Sequence, residues 1–74
     1  MARETKRTRK HEPYYRIKAY QIMLKMTNKD VADALGIKER TYWEKVNGFS
    51  DFTFTEGIKL SALFNQPVEE IFLT

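Results

Sequence analysis

The 74-residue chain contains no cysteine and only one histidine. A disulfide framework and a thiolate zinc site are therefore excluded, and His11 lies in a charged stretch with no second ligand at a useful spacing. No apolar run approaches the roughly twenty residues of a membrane span, and the charged start does not resemble a signal peptide. These absences predict a cytoplasmic protein with no metal or other cofactor, no small-molecule ligand and no membrane association.

The same inventory gives no support to an enzyme. There is no cysteine nucleophile, and no carboxylate pair is accompanied by a phosphate or metal site. A chain of this length can build one hydrophobic core but has no room for a second domain. We therefore expect one small domain that binds a partner.

Charge is distributed unevenly along the chain. Residues 1–12 carry five basic and two acidic side chains, residues 14–48 seven and four, and residues 49–74 one and four. A basic first half joined to an acidic tail is typical of a polyanion-binding surface with an outward-facing back. The alternative is ordinary solvated charge.

The segment from Thr27 to Gly48, TNKDVADALGIKERTYWEKVNG, predicts two short helices joined by a glycine turn. Thr27 can cap the first helix, and Asp30 places an acid near its first backbone donors. Gly36 can end that helix in the left-handed conformation, and a second helix opens near Lys38 or Glu39. This is the helix-turn-helix pattern, although periodicity alone allows an ordinary helical hairpin equally well.

Apolar spacing sets the faces of these helices. The inward positions of the pair are Val31, Ala32, Leu35, Tyr42 and Val46. The outward positions of the second helix are then Glu39, Arg40, Trp43 and Glu44.

Three further helices complete the expected all-α fold. A first helix runs from Pro13 to about Lys25, a fourth opens at Thr55 and Glu56, and Pro67 begins a short fifth. The intervening FSDFTFT is expected to be a loop that places one phenylalanine under the core. The prediction is five short helices around one core.

The first helix has apolar residues on more than one face. Tyr14, Tyr15, Ile22 and Met23 indicate either a broad contact with the core or a surface for a partner, and we favour the core contact.

The order of residues resembles the Xre-type family of phage Cro and repressor proteins. Thr27, Ala32, Leu35-Gly36-Ile37 and Asn47-Gly48 carry this resemblance. YWEKVNG at 42–48, Asp51-Phe52-Thr53 and Glu70-Ile71-Phe72 look most like the small Cro-like regulators of phages of Gram-positive hosts. The resemblance covers residues 14–74 and implies a lambda-repressor-like DNA-binding domain that works in the bacterial cytoplasm, at the nucleoid.

Two features depart from the family pattern. Many members pair an arginine in the first helix with a glutamate near the end of the third, where this chain has Gln21 and Val46. Both ends of the ion pair have changed together, so no lone buried charge remains. Lys38 replaces the usual Ser or Thr cap, which predicts a weaker start of the third helix, and Lys45 stands where many members have an apolar residue.

A second helix in the major groove offers its outward residues to base edges. The predicted base contacts are Glu39, Arg40, Trp43 and Glu44. Arg40 matches the two acceptors of guanine, whereas the acids either accept from cytosine or orient the basic residues. Trp43 either stacks against sugar or a thymine methyl, or is partly covered by the N-terminal arm.

Phosphate contacts are expected around the starts of both helices and after the second. The predicted set is Thr27, Asn28, Lys29, Lys38, Thr41, Lys45, Asn47 and Ser50, with backbone amides from Asn47 to Ser50. The resemblance supports Asn28 most directly, because family members usually place there a glutamine that binds the DNA backbone. Thr41 alternatively touches a thymine methyl or only fills the helix.

Residues 1–12 form a basic arm without apolar residues to bury, so we expect it to be flexible before binding. Its predicted DNA contacts are Arg3, Lys6, Arg7, Arg9 and Lys10. The alternative is a tail that only improves solubility. The helix-turn-helix domain is expected to occupy residues 13–74.

Together these features predict a sequence-specific regulator, a Cro-like repressor, that binds a near-palindromic operator in double-stranded DNA as a homodimer. The alternative function is a helix-turn-helix used as a protein-interaction module, such as an antitoxin or antirepressor. That alternative predicts that the basic residues are dispensable and that exposed apolar surface is not.

Overall fold

A computed structural model describes residues 9–73 and folds them into five α-helices. The helices are α1 (Tyr15–Met23), α2 (Asn28–Leu35), α3 (Glu39–Val46), α4 (Phe54–Phe64) and α5 (Val68–Ile71). Residues 9–73 contain no strand, so the predicted all-α class and the number of helices are confirmed within this range. Arg3, Lys6 and Arg7 lie outside the described residues.

The start and end of α2 follow the predicted chemistry. Thr27 Oγ1 accepts a hydrogen bond from the Asp30 amide at 3.0 Å, and Asp30 Oδ2 accepts one from the Thr27 amide at 2.9 Å. Gly36 ends the helix with φ of +76°, in the left-handed region that favours glycine. Local sequence alone therefore determines where α2 begins and ends.

The third helix begins at Glu39 without a side-chain cap, because Lys38 at the cap position makes no capping hydrogen bond. The expected weak start of this helix is confirmed. Helix α1 is shorter than expected and lies inside both predicted ends, Pro13 and Lys25. Lys25 takes φ of +57°, which stops the helix before the chain turns into α2.

The fourth helix begins earlier than expected. Its cap is Thr53, whose hydroxyl accepts from the Glu56 amide at 3.1 Å, and Glu56 Oε1 accepts from the Thr53 amide at 2.9 Å. The prediction at Thr55 missed the Thr-x-x-Glu spacing that defines this reciprocal cap. Pro67 precedes α5, as predicted.

All five helices contribute to a single core. Its buried apolar members are Ile17, Val31, Ala32, Leu35, Tyr42, Val46, Leu60, Phe64 and Ile71. The loop before α4 places Phe52 against this core, with its ring 6.2 Å from that of Tyr42. The expected phenylalanine under the core is therefore Phe52, whereas Phe54 is 83% exposed.

Part of the expected core contact of α1 is wrong. Tyr14 is half-buried and packs on the core, but Tyr15, Ile22 and Met23 are exposed, Ile22 by 73%. Ile17 and Tyr20 face the core, whereas Tyr15, Ile22 and Met23 lie on other sides of the helix. The end of α1 is therefore an apolar patch on the surface.

The described end of the arm, residues 9–12, lies against the loop that follows α3. The amides of Lys10 and His11 donate to the Gly48 carbonyl oxygen at 2.6 and 3.3 Å. Gly48 has φ of +97°, and a Cβ there would lie 2.1 Å from the His11 carbonyl oxygen. Gly48 has no side chain, so the backbone of residues 10 and 11 can approach it closely. The flexibility expected of residues 1–12 before binding stays a prediction.

Candidate nucleic-acid interface

Helix α3 buries Tyr42 and Val46 and leaves its other side exposed. Glu39 and Arg40 are exposed at its start, and Arg40 Nε donates to Glu44 Oε2 at 3.2 Å. The pair is spaced i, i+4 along the helix, so Glu44 can hold the guanidinium in an outward position. Of the two roles predicted for Glu44, this contact matches the orienting one.

Trp43 is 41% exposed on the same side. Its ring stacks on that of Phe49 with centroids 5.7 Å apart and planes at 16°. The Arg9 guanidinium lies 5.1 Å from the centroid of the Phe49 ring, and Arg9 Nε donates to the Asn47 carbonyl oxygen at 2.8 Å. The Phe49 ring thus contacts both the indole of Trp43 and the guanidinium of Arg9 in the arm. Sequence reasoning assigned no role to Phe49.

The start of α2 presents polar residues beside this face. Lys29 is exposed and pairs with Asp33 at 3.3 Å, while the Thr27 hydroxyl is used in the cap. Asn28 Oδ1 accepts from Gln21 Nε2 at 2.9 Å, and Gln21 Oε1 accepts from the Tyr42 hydroxyl at 2.6 Å. Gln21 of α1 therefore forms hydrogen bonds to two other helices.

A cleft of about 250 Å³ lies where α1, the start of α2 and the end of α3 meet. Its lining residues are Lys18, Gln21, Ile22, Asn28, Trp43, Val46 and Asn47. Lys18 Nζ donates to Asn47 Oδ1 at 2.6 Å, which holds its ammonium at the cleft. Lys18 was missed by sequence reasoning because an isolated lysine next to a core residue gives no pattern.

Two predicted phosphate contacts fall on side chains with partners inside the domain. Lys45 Nζ lies 2.6 Å from Glu56 Oε1, and the two side chains are only 13% and 12% exposed. Asn47 is buried, and its Nδ2 donates to the Trp43 carbonyl oxygen at 2.9 Å. Both side chains are committed to contacts within the domain, and the phosphate contacts expected of Lys45 and Asn47 stay predictions.

Three of the four predicted amide donors after α3 are also committed. The amides of Asn47, Gly48 and Phe49 donate to carbonyl oxygens of the last turn of α3. Ser50 contributes its carbonyl oxygen, which lies 3.0 Å from His11 Nε2. This loop therefore binds the end of the helix and the arm.

The remaining predicted residues keep accessible positions. Lys38 and Lys10 are exposed, and Thr41 is half-buried. Together with Arg40, Lys29 and Asn28, they surround the exposed side of α3 and the start of α2. Their predicted DNA contacts therefore stay predictions.

Burial also affects one titratable group next to this face. It raises the pKa of the Tyr42 hydroxyl well above the ordinary value of 10.0. The hydroxyl therefore stays protonated at neutral pH and remains a hydrogen-bond donor to Gln21.

Among residues 9–73, no three His, Asp or Glu side chains gather in a way that could hold a metal ion. None of the helices described has the length and apolar character needed to cross a membrane. Comparisons of the chain with protein-family models, curated proteins and solved structures found no match.

Proposed function

We propose that the chain is a sequence-specific DNA-binding regulator in which α2, the Gly36 turn and α3 form a helix-turn-helix. The observation that carries the proposal is the exposed side of α3, with Glu39, Arg40 and Trp43 on it, next to the capped start of α2. A helix of this kind fits the major groove of B-DNA, whereas the start of the preceding helix faces phosphates.

Arg40 is the main base-reading residue of the proposal. A guanidinium matches the two acceptors of guanine, and such a pair discriminates by about 1–3 kcal/mol. Its contact with Glu44 restricts the side chain before binding, which reduces the entropy lost in the complex. Asn28, Lys29 and Lys38 supply phosphate contacts in this arrangement.

A second copy of the chain is the proposed partner on a near-palindromic operator. Phe54, Ile58 and Val68 are exposed at a cleft of about 350 Å³ between the loop before α4 and α5. A two-fold contact uses the same patch on both copies, and an exposed ring beside a cleft is self-complementary. The cleft contains no residue of α3, so a dimer built here leaves both reading helices open.

The resemblance to Xre-type proteins is part of the same proposal. The five helices in this order, the left-handed Gly36 and the cap at Thr27 support a small Cro-like repressor acting in a bacterial cytoplasm. In this proposal, the contacts of Gln21 take the place of the Arg–Glu ion pair that many members of that family form between the first and third helices.

Selection of bound sequences from a random duplex pool tests the proposal. We expect an enriched near-palindrome, with affinity falling about 10³–10⁵-fold between roughly 50 and 200 mM salt for 6–10 phosphate contacts. Arg40→Ala should flatten the preference at one base pair in each half-site, whereas Lys59→Ala, which removes an exposed charge from α4, should leave the motif unchanged. Recovery of no motif at any salt contradicts the proposal.

The dimer surface has its own test. Phe54→Ser should weaken binding to the full palindrome and leave binding to an isolated half-site unchanged, as measured by titration with the two duplexes. Met23→Ser removes an exposed apolar side chain from the end of α1, outside both clefts, and is the matched control. An equal loss on both duplexes for Phe54→Ser contradicts this surface.

The exposed apolar end of α1 favours a second candidate function, a protein-interaction module. Ile22, Met23 and Leu24 are all more than half exposed and adjacent. If this candidate holds, Met23→Ser abolishes capture of a protein partner and Arg40→Ala does not, which is the reverse of the order expected for a regulator.

A further inference from the structure

Gln21 is the middle member of a hydrogen-bond chain that joins three helices. The Tyr42 hydroxyl of α3 donates to Gln21 Oε1 at 2.6 Å, and Gln21 Nε2 donates to Asn28 Oδ1 at 2.9 Å. Tyr42 is fully buried, whereas Asn28 is half-exposed at the start of α2. The chain therefore connects the core to the surface.

The direction of this chain is set from its buried end. Gln21 is the one hydrogen-bond partner of the Tyr42 hydroxyl among residues 9–73. If the Gln21 amide were reversed, its nitrogen would face the hydroxyl oxygen and the hydroxyl proton would have no acceptor, which is unfavourable in a buried place. The hydroxyl thus selects the Gln21 orientation with the oxygen toward Tyr42.

The same direction passes to the surface residue. With Gln21 oxygen facing Tyr42, its nitrogen must donate, so Asn28 must accept through Oδ1. The Asn28 NH2 group is then the end that is left for an outside partner. An NH2 group donates to phosphate oxygens, whereas an amide oxygen in that place would repel them.

The surroundings of Asn28 suit an anion. Lys18, Gln21 and Asn28 line the same cleft, and the Lys18 ammonium is held there by Asn47 Oδ1. An ammonium carries three donor protons, so its bond to Asn47 does not exhaust them. The positive charge of Lys18 and the Asn28 amide therefore lie at the same cleft.

We propose that Gln21 is a positioning residue that transmits the donor direction of the buried Tyr42 hydroxyl to Asn28, so that the Asn28 NH2 group faces a phosphate of the DNA backbone. This inference rests on the proposed function and deepens it. Only an amide side chain at position 21 can both accept from the Tyr42 hydroxyl and donate to Asn28.

A double-mutant cycle tests the inference on the selected duplex. Gln21→Met retains similar volume without hydrogen bonds and should weaken binding about 2- to 10-fold, the worth of one hydrogen bond. In the Asn28→Ala background the same substitution should change affinity little, because the amide that it orients is gone. Some loss of thermal stability from Gln21→Met should persist in the Asn28→Ala background, because the buried Tyr42 hydroxyl loses its acceptor in both.

Gln21→Glu separates positioning from packing. A glutamate still accepts from Tyr42 but cannot donate to Asn28, so it should turn the Asn28 amide and direct its oxygen outward. We expect a larger loss of affinity than for Gln21→Met, and the part that remains in the Asn28→Ala background measures the added negative charge alone. The side-chain NH2 signals of Asn28 in ¹⁵N spectra of the free protein should shift in both variants.

Two results overturn the inference and are distinguishable. If the wild-type chain binds duplex but Gln21→Met weakens binding equally with and without Asn28, Gln21 has a structural role only and the proposed function stands. If the wild-type chain binds no duplex, the proposed function fails and the inference fails with it.

Discussion

Helices α2 and α4 begin with the same reciprocal cap, but only the acid of the α4 cap also contacts another helix. Thr27 and Asp30 form a reciprocal cap at α2, and Thr53 and Glu56 form one at α4, with all four hydrogen bonds between 2.9 and 3.1 Å. At α2 the acid remains in solvent. At α4 the acid is buried and also binds Lys45 of α3. One cap fixes a helix end, whereas the other also fixes how two helices pack.

The two carboxyl groups have lowered pKa values for different reasons. At Asp30, hydrogen bonds from the Thr27 amide and hydroxyl lower the pKa, with a small contribution from Lys29. At Glu56, burial acts to raise the pKa, but hydrogen bonds from Lys45 and Thr53 together with the Lys45 charge outweigh it. The ionised form is therefore favoured locally at α2 and through a tertiary contact at α4.

The largest expected effect comes from removing the buried charge at α4. Glu56→Gln keeps an acceptor for the Thr53 amide but leaves the Lys45 ammonium in a mostly buried place without an anion. We expect a loss of about 3 kcal/mol in the free energy of unfolding, measured by urea denaturation. Asp30→Asn makes the same chemical change in the exposed cap and should cost much less. Equal losses would show that burial of the acid does not matter.

The dependence of stability on pH should follow the same contrast. A carboxyl group whose folded pKa is lowered contributes stability above its unfolded pKa and loses it as the pH falls through the folded value. Stability should therefore fall as the pH drops below about 4.5, the ordinary value for Glu56. Urea denaturation of the wild type and of Glu56→Gln between roughly pH 3 and 6 should give a flatter profile for the variant. Parallel profiles contradict the role of Glu56.

Removal of either capping hydroxyl should lower the free energy of unfolding by a similar amount. Thr27→Ala and Thr53→Ala each remove one side-chain acceptor from a helix start, which costs about 1 kcal/mol. Combined with Glu56→Gln, Thr53→Ala should show coupling, because the two residues share a cap. The effects of Thr27→Ala and Glu56→Gln on stability should be additive. Coupling between them would contradict the independence of the two caps.

The smallest effect is expected at the exposed ion pair of α2. Lys29 and Asp33 lie 3.3 Å apart at i, i+4 spacing, and both are largely in solvent. Lys29→Gln should shift the urea midpoint hardly at all, because such pairs are weakened by water and salt. A shift comparable to that of Glu56→Gln would contradict the distinction between buried and exposed pairs.

Local chemistry explains which parts of the fold the sequence predicts. The cap at Thr27, the turn at Gly36 and the inward Tyr42 and Val46 depend on neighbours within a few residues, and all are confirmed. The Thr53 cap was equally readable from its spacing to Glu56. These features need no knowledge of the rest of the chain.

The missed features depend on contacts across the fold. Lys45 follows the outward side in sequence, but it turns inward because α4 brings Glu56 to it. Asn47 is buried because Lys18 of α1 and Arg9 of the arm bind it. The periodicity of α3 does not predict contacts with Glu56, Lys18 or Arg9. The sign that the sequence did offer is the glycine at position 48, since a Cβ there would collide with the backbone of His11.

The stack of Arg9, Phe49 and Trp43 also gives the molecule an internal optical probe. The chain has one tryptophan, so its fluorescence under selective excitation comes from a single indole. That indole lies where the docked arm, the end of α3 and the proposed DNA surface meet. Displacement of the arm from Phe49, or arrival of a duplex, changes the water around the ring and hence its emission wavelength. Either event can thus be followed in a stopped-flow instrument without attaching a dye.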